Sequence, residues 1–405
     1  MEINWKKNTI LFITGQALSL FGSMVVQYAI LWHITLKTQS GTMMTLFTVV
    51  GFLPMFFISP FGGVWADRFN RKYLINIADG AIALASLIVA LLIMMGYTHF
   101  AILLACAAVR SFGQGVQTPA VGAFIPQIIP KEYLTKVNGI YSSIQSMCMF
   151  TAPMIAGVLM TFTPLETLFL LDVVTAAIGI SILLFFVKVP VMEKTEEQEK
   201  KGIDYFHDLR EGLRYIRKHG FVLGMITFSA LFSFFAAPAA LLTPLQITRN
   251  FGADVWRLTA IEIAFSVGMM AGGLLIAAWG GFKNKVHTIM FSCFFFGLAA
   301  IGLGLTPNFW IYLGIMGAAG IVMPMFNTPT MVLLQTTVES GFMGRVFSVF
   351  TMVGSAIMPA AMLIFGPLAD TININFLLIG SGVTMALLVI PFMRLRPPPT
   401  EAEIP

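Results

Sequence analysis

The chain has 405 residues, of which 57% are hydrophobic and only 11% are charged, and its formal net charge is +5. A soluble domain of ordinary composition is about 25% charged, so this chain has too few charged residues to cover a surface that faces water. Most Lys and Arg residues lie in short segments between apolar runs and form no single basic face, which argues against a nucleic-acid partner. The composition therefore predicts an integral membrane protein surrounded by a lipid bilayer.

Twelve apolar segments are long enough to cross the bilayer as α-helices, which requires about 20 residues each. The first segment follows Lys6 and Lys7, is longer than the apolar region of a signal peptide and has no A-x-A cleavage site, which indicates a retained span. We therefore expect an all-α integral membrane protein. The predicted spans cover residues 10–36, 42–65, 73–95, 100–128, 135–162, 165–188, 220–247, 257–279, 286–305, 309–337, 345–369 and 373–393.

The distribution of positive charge predicts the orientation of the chain. An even number of spans places both termini on one side of the membrane. Of the 24 Lys and Arg residues, only Lys37, Arg249 and Arg257 fall on the opposite side, and Arg110 alone is placed within the membrane, away from the ends of its span. Because loops rich in Lys and Arg stay in the cytoplasm, we expect a multi-pass protein of the bacterial inner membrane with both termini cytoplasmic.

The longest polar segment, residues 189–219, separates the spans into two groups of six. It begins with a highly charged stretch. Its second part has the pattern of an amphipathic helix on a membrane surface, with apolar residues at helical spacing: Ile203, Phe206, Leu209, Leu213 and Ile216. The sequence thus predicts an N-terminal six-helix bundle at 1–188, a cytoplasmic linker, and a C-terminal six-helix bundle with a short cytoplasmic tail at 220–405.

Short matches relate the two groups of spans to each other. Gly62-Gly63 recurs as Gly272-Gly273, and Thr118-Pro119 recurs as Thr328-Pro329, both at an offset of about 210 residues. The matched pairs keep their order and occupy corresponding spans of the two halves. Parallel six-span repeats of this kind are one of the known plans of membrane transporters.

The segment between the second and third predicted spans carries an unusual density of charge. It reads Gly63-x-x-Ala66-Asp67-Arg68-x-x-Arg71-Lys72. This pattern resembles the loop 2–3 signature of the major facilitator superfamily, at the place where that signature belongs. Asn70 stands where the family usually has Gly, and because Asn tolerates a left-handed backbone conformation, we expect the bend to be preserved.

Two further segments are similar to motifs of the same family. Residues 110–115, which begin with Arg110, resemble its intramembrane Arg motif. Gly139, Ala152, Pro153 and Gly157 resemble the antiporter motif of the fifth span, with Ala152 in place of a Gly. The overall pattern is similar to the macrolide-efflux branch of bacterial drug:proton antiporters. The resemblance covers essentially the whole chain and implies twelve helices in two pseudo-symmetric six-helix halves.

The resemblance implies that the loop 2–3 signature acts as a conformational latch between the two halves on the cytoplasmic face. Asp67 would meet the positive end of the eleventh span and could pair with Arg345. Arg71 and Lys72 would hold Asp67 in place. The alternative is that these residues, together with Arg68, only anchor the topology, although an anchor does not require an Asp.

Four ionisable residues are predicted to lie within spans, where charge is costly and therefore marks functional candidates: Asp79, Arg110, Asp172 and Glu262. Asp79 and Arg110 could form a structural pair, or Arg110 could face a central cavity and respond to protonation of a carboxylate. A proton carrier must exchange its proton near ambient pH, which burial of a carboxyl group permits. Asp172 and Glu262 have no evident cation near them in the spans, so we expect the carrier to be one of these two. Alternatively, Glu262 is a surface side chain.

A substrate site is expected near mid-membrane, where the halves meet. Phe228 and Phe232 would suit a bulky apolar substrate, although aromatic residues at helical spacing more often serve packing. Polar contacts could come from four amide side chains: Gln16, Gln27, Gln145 and Asn327.

The sequence contains no P-loop, no metal-ligand spacing and no GxSxG motif. We therefore expect no enzymatic activity, no cofactor, no metal and no direct use of ATP. The leading hypothesis is a monomeric exporter of bulky amphiphilic compounds, such as macrolide-like drugs, coupled to proton influx. Two alternatives are export of an endogenous metabolite such as a siderophore, and a non-transporting sensor or partner protein with the same fold.

Overall fold

The structure is a computed structural model that describes residues 4–188, 205–339 and 341–393. Ile203 and the charged start of the predicted linker lie outside the described residues. The α-helices are α1 (Trp5–Thr38), α2 (Gly41–Arg68), α3 (Arg71–Met94), α4 (Phe100–Ile128), α5 (Leu134–Phe162), α6 (Leu165–Ser181), α7 (Tyr205–Lys218), α8 (Gly220–Leu241), α9 (Thr243–Asn250), α10 (Val255–Trp279), α11 (Lys285–Leu305), α12 (Phe309–Thr337), α13 (Met343–Thr371) and α14 (Ile374–Phe392).

Twelve segments of the described chain are long and apolar enough to cross a membrane, which confirms the predicted all-α, twelve-span fold. The sixth span, Leu165–Phe186, consists of α6 and a π-helical turn at Ile182–Phe186. The seventh span, Gly220–Asn250, consists of α8 and α9. The observed span limits lie within a few residues of the predicted ones.

Asn70 does not adopt the left-handed conformation that its place in the loop 2–3 signature suggested. Its φ is −67° and its side-chain oxygen accepts a hydrogen bond from Lys72 N at 3.0 Å, so it caps the N-terminus of α3. Asn is a favoured residue at this position because it pairs a backbone N–H that lacks an intrahelical partner. Asn284 caps α11 in the same way, through Val286 N at 3.0 Å.

The chain forms two compact units, and each unit includes a short segment at the start of a helix that otherwise belongs to the other unit. Unit 1 consists of Met1–Gln39, Leu46–Lys194 and Asp254–Thr259, and unit 2 consists of Ser40–Thr45, Thr195–Ala253 and Ala260–Pro405. Each exchanged segment contains the beginning of a span, α2 in one case and α10 in the other. The sequence did not reveal this exchange.

Helix α7 is amphipathic and packs against protein on its apolar side. Tyr215 and Ile216 are buried in the core of unit 2. Tyr215 stacks on Phe342 with ring centroids 4.6 Å apart, and its hydroxyl oxygen accepts a hydrogen bond from Glu339 N at 3.2 Å. Leu213 is exposed. A role for α7 at the membrane surface stays a prediction.

The repeated Gly-Gly pair at 272–273 permits close packing of α10 and α12 in unit 2. A Cβ atom added at Gly272 would lie 2.1 Å from the carbonyl oxygen of Ile321, whereas one added at Gly273 would meet nothing within 4 Å. The two neighbouring glycines therefore have different roles, and only the first requires the absence of a side chain.

We predict that Gly272→Ala destabilises the protein and that Gly273→Ala does not. Forcing a methyl group into a packed interface costs about 1–3 kcal/mol, so Gly272→Ala should lower the thermal unfolding midpoint in detergent by several degrees. Gly273→Ala is the matched control, since it adds the same methyl group on the open face. Equal midpoints for the two variants would contradict the packing.

Candidate functional site

A buried ion pair joins α4 to α6 in unit 1. Arg110 Nη1 contacts Asp172 Oδ2, and the two residues are 1% and 0% exposed. Ser86 of α3 donates a hydrogen bond to Asp172 Oδ2 at 2.6 Å and accepts one from Arg110 Nη1 at 2.7 Å. Ser23 of α1 donates to Asp172 Oδ1 at 3.0 Å, and its carbonyl oxygen accepts from Arg110 Nη2 at 2.8 Å. Four helices of unit 1 therefore meet at one network.

This network corrects two expectations. Arg110 pairs with Asp172 and not with Asp79, and Asp172 therefore has a cation partner that the sequence did not reveal. The reason is helix register, because the residue of α3 that faces Arg110 is Ser86. Seven residues separate Asp79 from Ser86, which is about 10 Å along the helix. The proton-carrier role of Asp172 stays a prediction, and the premise that it has no cation near it is wrong.

Asp79 lies on the same buried face of α3 and is 3% exposed. Gln16 Nε2 of α1 donates to Asp79 Oδ2 at 3.4 Å, and Gln117 Nε2 of α4 donates to Gln16 Oε1 at 2.9 Å. Among the residues that the structure describes, no Lys or Arg forms an ion pair with Asp79. Amide donors compensate a buried carboxylate less than a cation does, so Asp79 is held at a cost unless it is protonated.

Glu262 is the corresponding isolated carboxyl group of unit 2. It lies on α10, is partly buried, and makes no ion pair or hydrogen bond within the described part of the chain. Arg257, which precedes it in sequence, pairs with Asp254 at 3.1 Å and lies over the ring of Trp256. Of the four predicted intramembrane charges, two are therefore paired and two are not.

The loop 2–3 signature is braced at the ends of α2, α4 and α6. Arg71 Nε donates to Ala66 O at 2.9 Å, and Arg71 Nη1 donates to Ala123 O at 3.1 Å. Arg71 Nη2 also lies 3.6 Å from Asp67 Oδ1, and the Asp67 side chain is 59% exposed. Lys72, in contrast, donates to Val187 O at 2.8 Å and does not hold Asp67, so that expectation is wrong.

The other residues of the signature lie at the surface or partly buried. Arg68 is exposed, and Gly63 is partly buried near the end of α2. In unit 2, Arg345 at the beginning of α13 pairs with Glu211 of α7 at 2.8 Å and lies over the ring of Phe342. The sequence did not suggest Glu211 as a partner. The latch formed by Asp67 and Arg345 stays a prediction.

The antiporter-like segment of α5 provides close helix contacts. Ala152 and Pro153 are buried, whereas a Cβ atom added at Gly139 would meet nothing within 4 Å. A Cβ atom added at Gly157 would lie 1.7 Å from Thr259 Oγ1, at the beginning of α10. Both residues belong to unit 1.

Unit 2 contains a matching contact. A Cβ atom added at Gly366 of α13 would lie 1.7 Å from Thr45 Oγ1, at the beginning of α2. The Thr45 hydroxyl donates to the carbonyl oxygen of Gly41 at 2.8 Å and is 2.9 Å from that of Met362. The offset of about 210 residues between Gly157 and Gly366 is the signal that could have predicted this pair.

The aromatic residues proposed for the substrate site are packed in a hydrophobic core. Phe228 and Phe232 are buried in the core of unit 2, and Phe232 stacks on Phe326 with centroids 3.8 Å apart. This burial agrees with the packing alternative, and a role in binding substrate stays a prediction. The amide of Gln16 is buried beside Asp79. Three of the four predicted amide residues are exposed on their spans: Gln27, Gln145 and Asn327.

Twelve spans in two repeat-related units, with charged groups buried at membrane depth, define a multi-pass membrane transporter built on six-span repeats. The chain matches the Major Facilitator Superfamily over residues 12–362 and belongs to that superfamily.

Known proteins resemble this chain over almost its full length. It is 28% identical to macrolide efflux protein A of Streptococcus pyogenes, over 96% of this chain and 97% of that protein. It is 22% identical to the staphyloferrin A transporter of Staphylococcus aureus, over 95% and 96% of the two chains. The crystal structure of a POT family transporter in complex with a thioalcohol-conjugated peptide superposes with a TM-score of 0.71 at 12% identity over 95% of both chains, which shows the fold alone.

We predict that Asp172→Asn strongly destabilises the protein. Breaking a buried ion pair leaves the guanidinium of Arg110 uncompensated, at a cost of about 3–5 kcal/mol. The thermal midpoint and the yield of monodisperse protein in detergent should both fall. Asp254→Asn removes the carboxylate of a surface pair and is the control, with an expected effect of about 0–1 kcal/mol. If the two variants were equally stable, the buried network would not support unit 1 as described.

Proposed function

We propose that the protein exports bulky amphiphilic compounds of the macrolide type by alternating access, coupled to proton influx. It would act as a monomer in the bacterial inner membrane, with both termini cytoplasmic, and would draw its energy from an ion gradient and not from ATP. The full-length similarity to macrolide efflux protein A supports the substrate class. The geometry of Asp79 carries the coupling part of the proposal.

Asp79 suits a proton carrier because neutralisation removes the cost of its buried charge. Its Oδ2 accepts a hydrogen bond from the Gln16 amide, and Gln117, which orients Gln16, is a second amide donor at the same carboxyl group. Neither amide can supply or remove a proton, so any change in the charge of Asp79 must come from exchange with water or substrate. Glu262, which has no described partner, is the second candidate and lies in the other unit.

The Arg110–Asp172 pair has a supporting role in this proposal. Its charges balance each other, and its oxygens and most of its N–H groups already have partners. It would hold α1, α3, α4 and α6 together while Asp79, two turns along α3, changes its protonation.

Export of an endogenous metabolite is the second candidate function, since the staphyloferrin A transporter also resembles this chain over nearly its full length. Exposed amides at Gln27, Gln145 and Asn327 could contact either class of compound. A transport assay in bacteria that lack their own pumps decides between the two. Lower accumulation of a labelled macrolide, abolished by a protonophore, supports drug export, whereas unchanged accumulation contradicts it.

We predict that Asp79→Asn abolishes proton-coupled export while the protein still folds. The amide keeps the size of the carboxyl group and a hydrogen-bond acceptor for Gln16, but it cannot carry a proton. Accumulation of the labelled compound should return to that of cells without the protein, and substrate-induced proton release in proteoliposomes should disappear. Asp254→Asn is the matched control and should transport normally. Full proton coupling in Asp79→Asn would remove Asp79 from the mechanism.

We also predict that Asp67→Asn slows transport without affecting insertion. In the proposed latch, the Asp67 carboxylate faces the positive N-terminus of α13 and pairs with Arg345, and neutralising it weakens both interactions. The turnover rate should fall while the amount of protein in the membrane is unchanged. Glu132→Gln, a neutralised carboxyl group in the next loop on the same side, is the control. Wild-type turnover in Asp67→Asn would favour a purely topological role for this segment.

A further inference from the structure

Asp370, near the end of α13, caps the beginning of α2 within unit 2. Its Oδ1 accepts a hydrogen bond from Gly41 N at 2.7 Å, and its Oδ2 accepts from Thr42 N at 2.9 Å and from Ser40 Oγ at 2.8 Å. The first N–H groups of a helix have no partner within that helix. One carboxylate therefore satisfies two of these groups and also faces the positive end of the α2 dipole.

Arg249, at the end of α9, holds the same carboxylate. Its Nη2 lies 2.9 Å from Asp370 Oδ1, and its Nη1 contacts the carbonyl oxygen of Ala369. The guanidinium thus binds both the carboxylate and the C-terminal end of α13. The side chains of Arg249 and Asp370 are each 26% exposed. Water can reach this cluster and replace its hydrogen bonds when they break.

The cluster lies next to the closest backbone approach between α2 and α13. A Cβ atom added at Gly41 would lie 2.1 Å from the carbonyl oxygen of Gly366, close to the contact of Gly366 with Thr45. Residues Ser40–Thr45 belong to unit 2, whereas α2 from Leu46 onward belongs to unit 1. The contacts of Asp370 therefore act on the segment where α2 passes from one unit to the other.

The matching contact in unit 1 lies beside a charged pair of a different kind, because Asp254, just before α10, pairs with Arg257 in the first turn of the same helix at 3.1 Å. The position that corresponds to Asp370 at the offset of the Gly157–Gly366 match is Thr161, whose hydroxyl donates to the Gly157 carbonyl oxygen of its own helix at 2.8 Å. The Gly–Thr contact is thus common to both halves, whereas among the described residues a carboxylate from the facing helix caps the helix start only at Asp370.

We propose that Asp370 and Arg249 are positioning residues that lock the beginning of α2 to the end of α13, and that this lock opens and closes in each transport cycle. The inference rests on the proposed alternating access and orientation, which place both helix ends on the outer face. When the lock is closed, residues 40–45 are held on unit 2. When it opens, water takes over the hydrogen bonds of Asp370, and the Gly366–Thr45 contact separates.

The test measures access to the buried contact from outside the cell. Thr45 is 5% exposed, and replacing it by Cys introduces a thiol of similar size. The native residues Cys106, Cys148 and Cys293 are all buried. Labelling of the protein that keeps Thr45 measures the background from these native thiols. A membrane-impermeant maleimide is added to intact cells, and the labelling rate is measured.

In the Thr45→Cys protein, Asp370→Asn and Arg249→Gln should each increase the labelling rate several-fold, since both weaken the lock. Ser40→Ala removes the hydrogen bond to Asp370 and the one accepted from Met43 N, but it leaves the ion pair with Arg249 intact. It should give a smaller increase and is the variant to use if the other two fail to fold. Asp254→Asn, which neutralises a carboxylate at the beginning of α10, is the matched control and should leave the rate unchanged. Rates in all three lock variants equal to that of the control would overturn the proposal.

The labelling assay needs no substrate, so its outcome is separate from that of the proposed function. A faster rate in Asp370→Asn supports the lock even if macrolide accumulation is unaffected by the wild-type protein. Unchanged rates together with normal macrolide export would overturn the lock and leave the proposed export intact.

Discussion

The cost of burying charge at membrane depth governs the arrangement of unit 1. An ionised side chain in the bilayer interior must be paired or hydrogen-bonded, because little water is present to solvate it. Arg110 and Asp172 meet this requirement with each other and with two serines, and each partner comes from a different helix. The network therefore restricts the rotation of four helices, α1, α3, α4 and α6, about their own axes.

Asp79 shows what the same constraint means for a group without a cation. It shares the buried face of α3 with Ser86, so the helix that supports the ion pair also carries the isolated carboxyl group. A balanced pair stays charged at little cost, whereas an isolated carboxylate is relieved by binding a proton. One helix therefore carries both a residue of the ion-pair network and the carboxyl group that we propose as the proton carrier, and movement of α3 would affect both.

The sequence predicts the spans and the family well because length, hydropathy and a charged loop are properties of the chain itself. It does not predict which carboxylate pairs with Arg110. Asp79 and Asp172 are both acidic residues within spans, and only the rotation of α3 and α6 decides between them. The sequence left two roles open for Phe232 for the same reason, since helical spacing does not tell which neighbour covers an aromatic ring. The misreading of Asn70 differs, because Asn is favoured both in left-handed turns and at helix N-termini, and the start of α3 selects the second role.

Both halves use the same packing device and differ in their charges. The Gly–Thr contacts at Gly157 and Gly366 are equivalent, which is expected for two copies of one six-span repeat. The ion pair of Arg110 occurs in unit 1, and the cap formed by Asp370 and Arg249 occurs in unit 2. Small residues at helix crossings preserve a surface on which helices can slide and separate, and this requirement is the same in each half. The proposed coupling and the proposed lock each use a charge at a specific helix end or face, and these charges occur at positions where the two repeats differ.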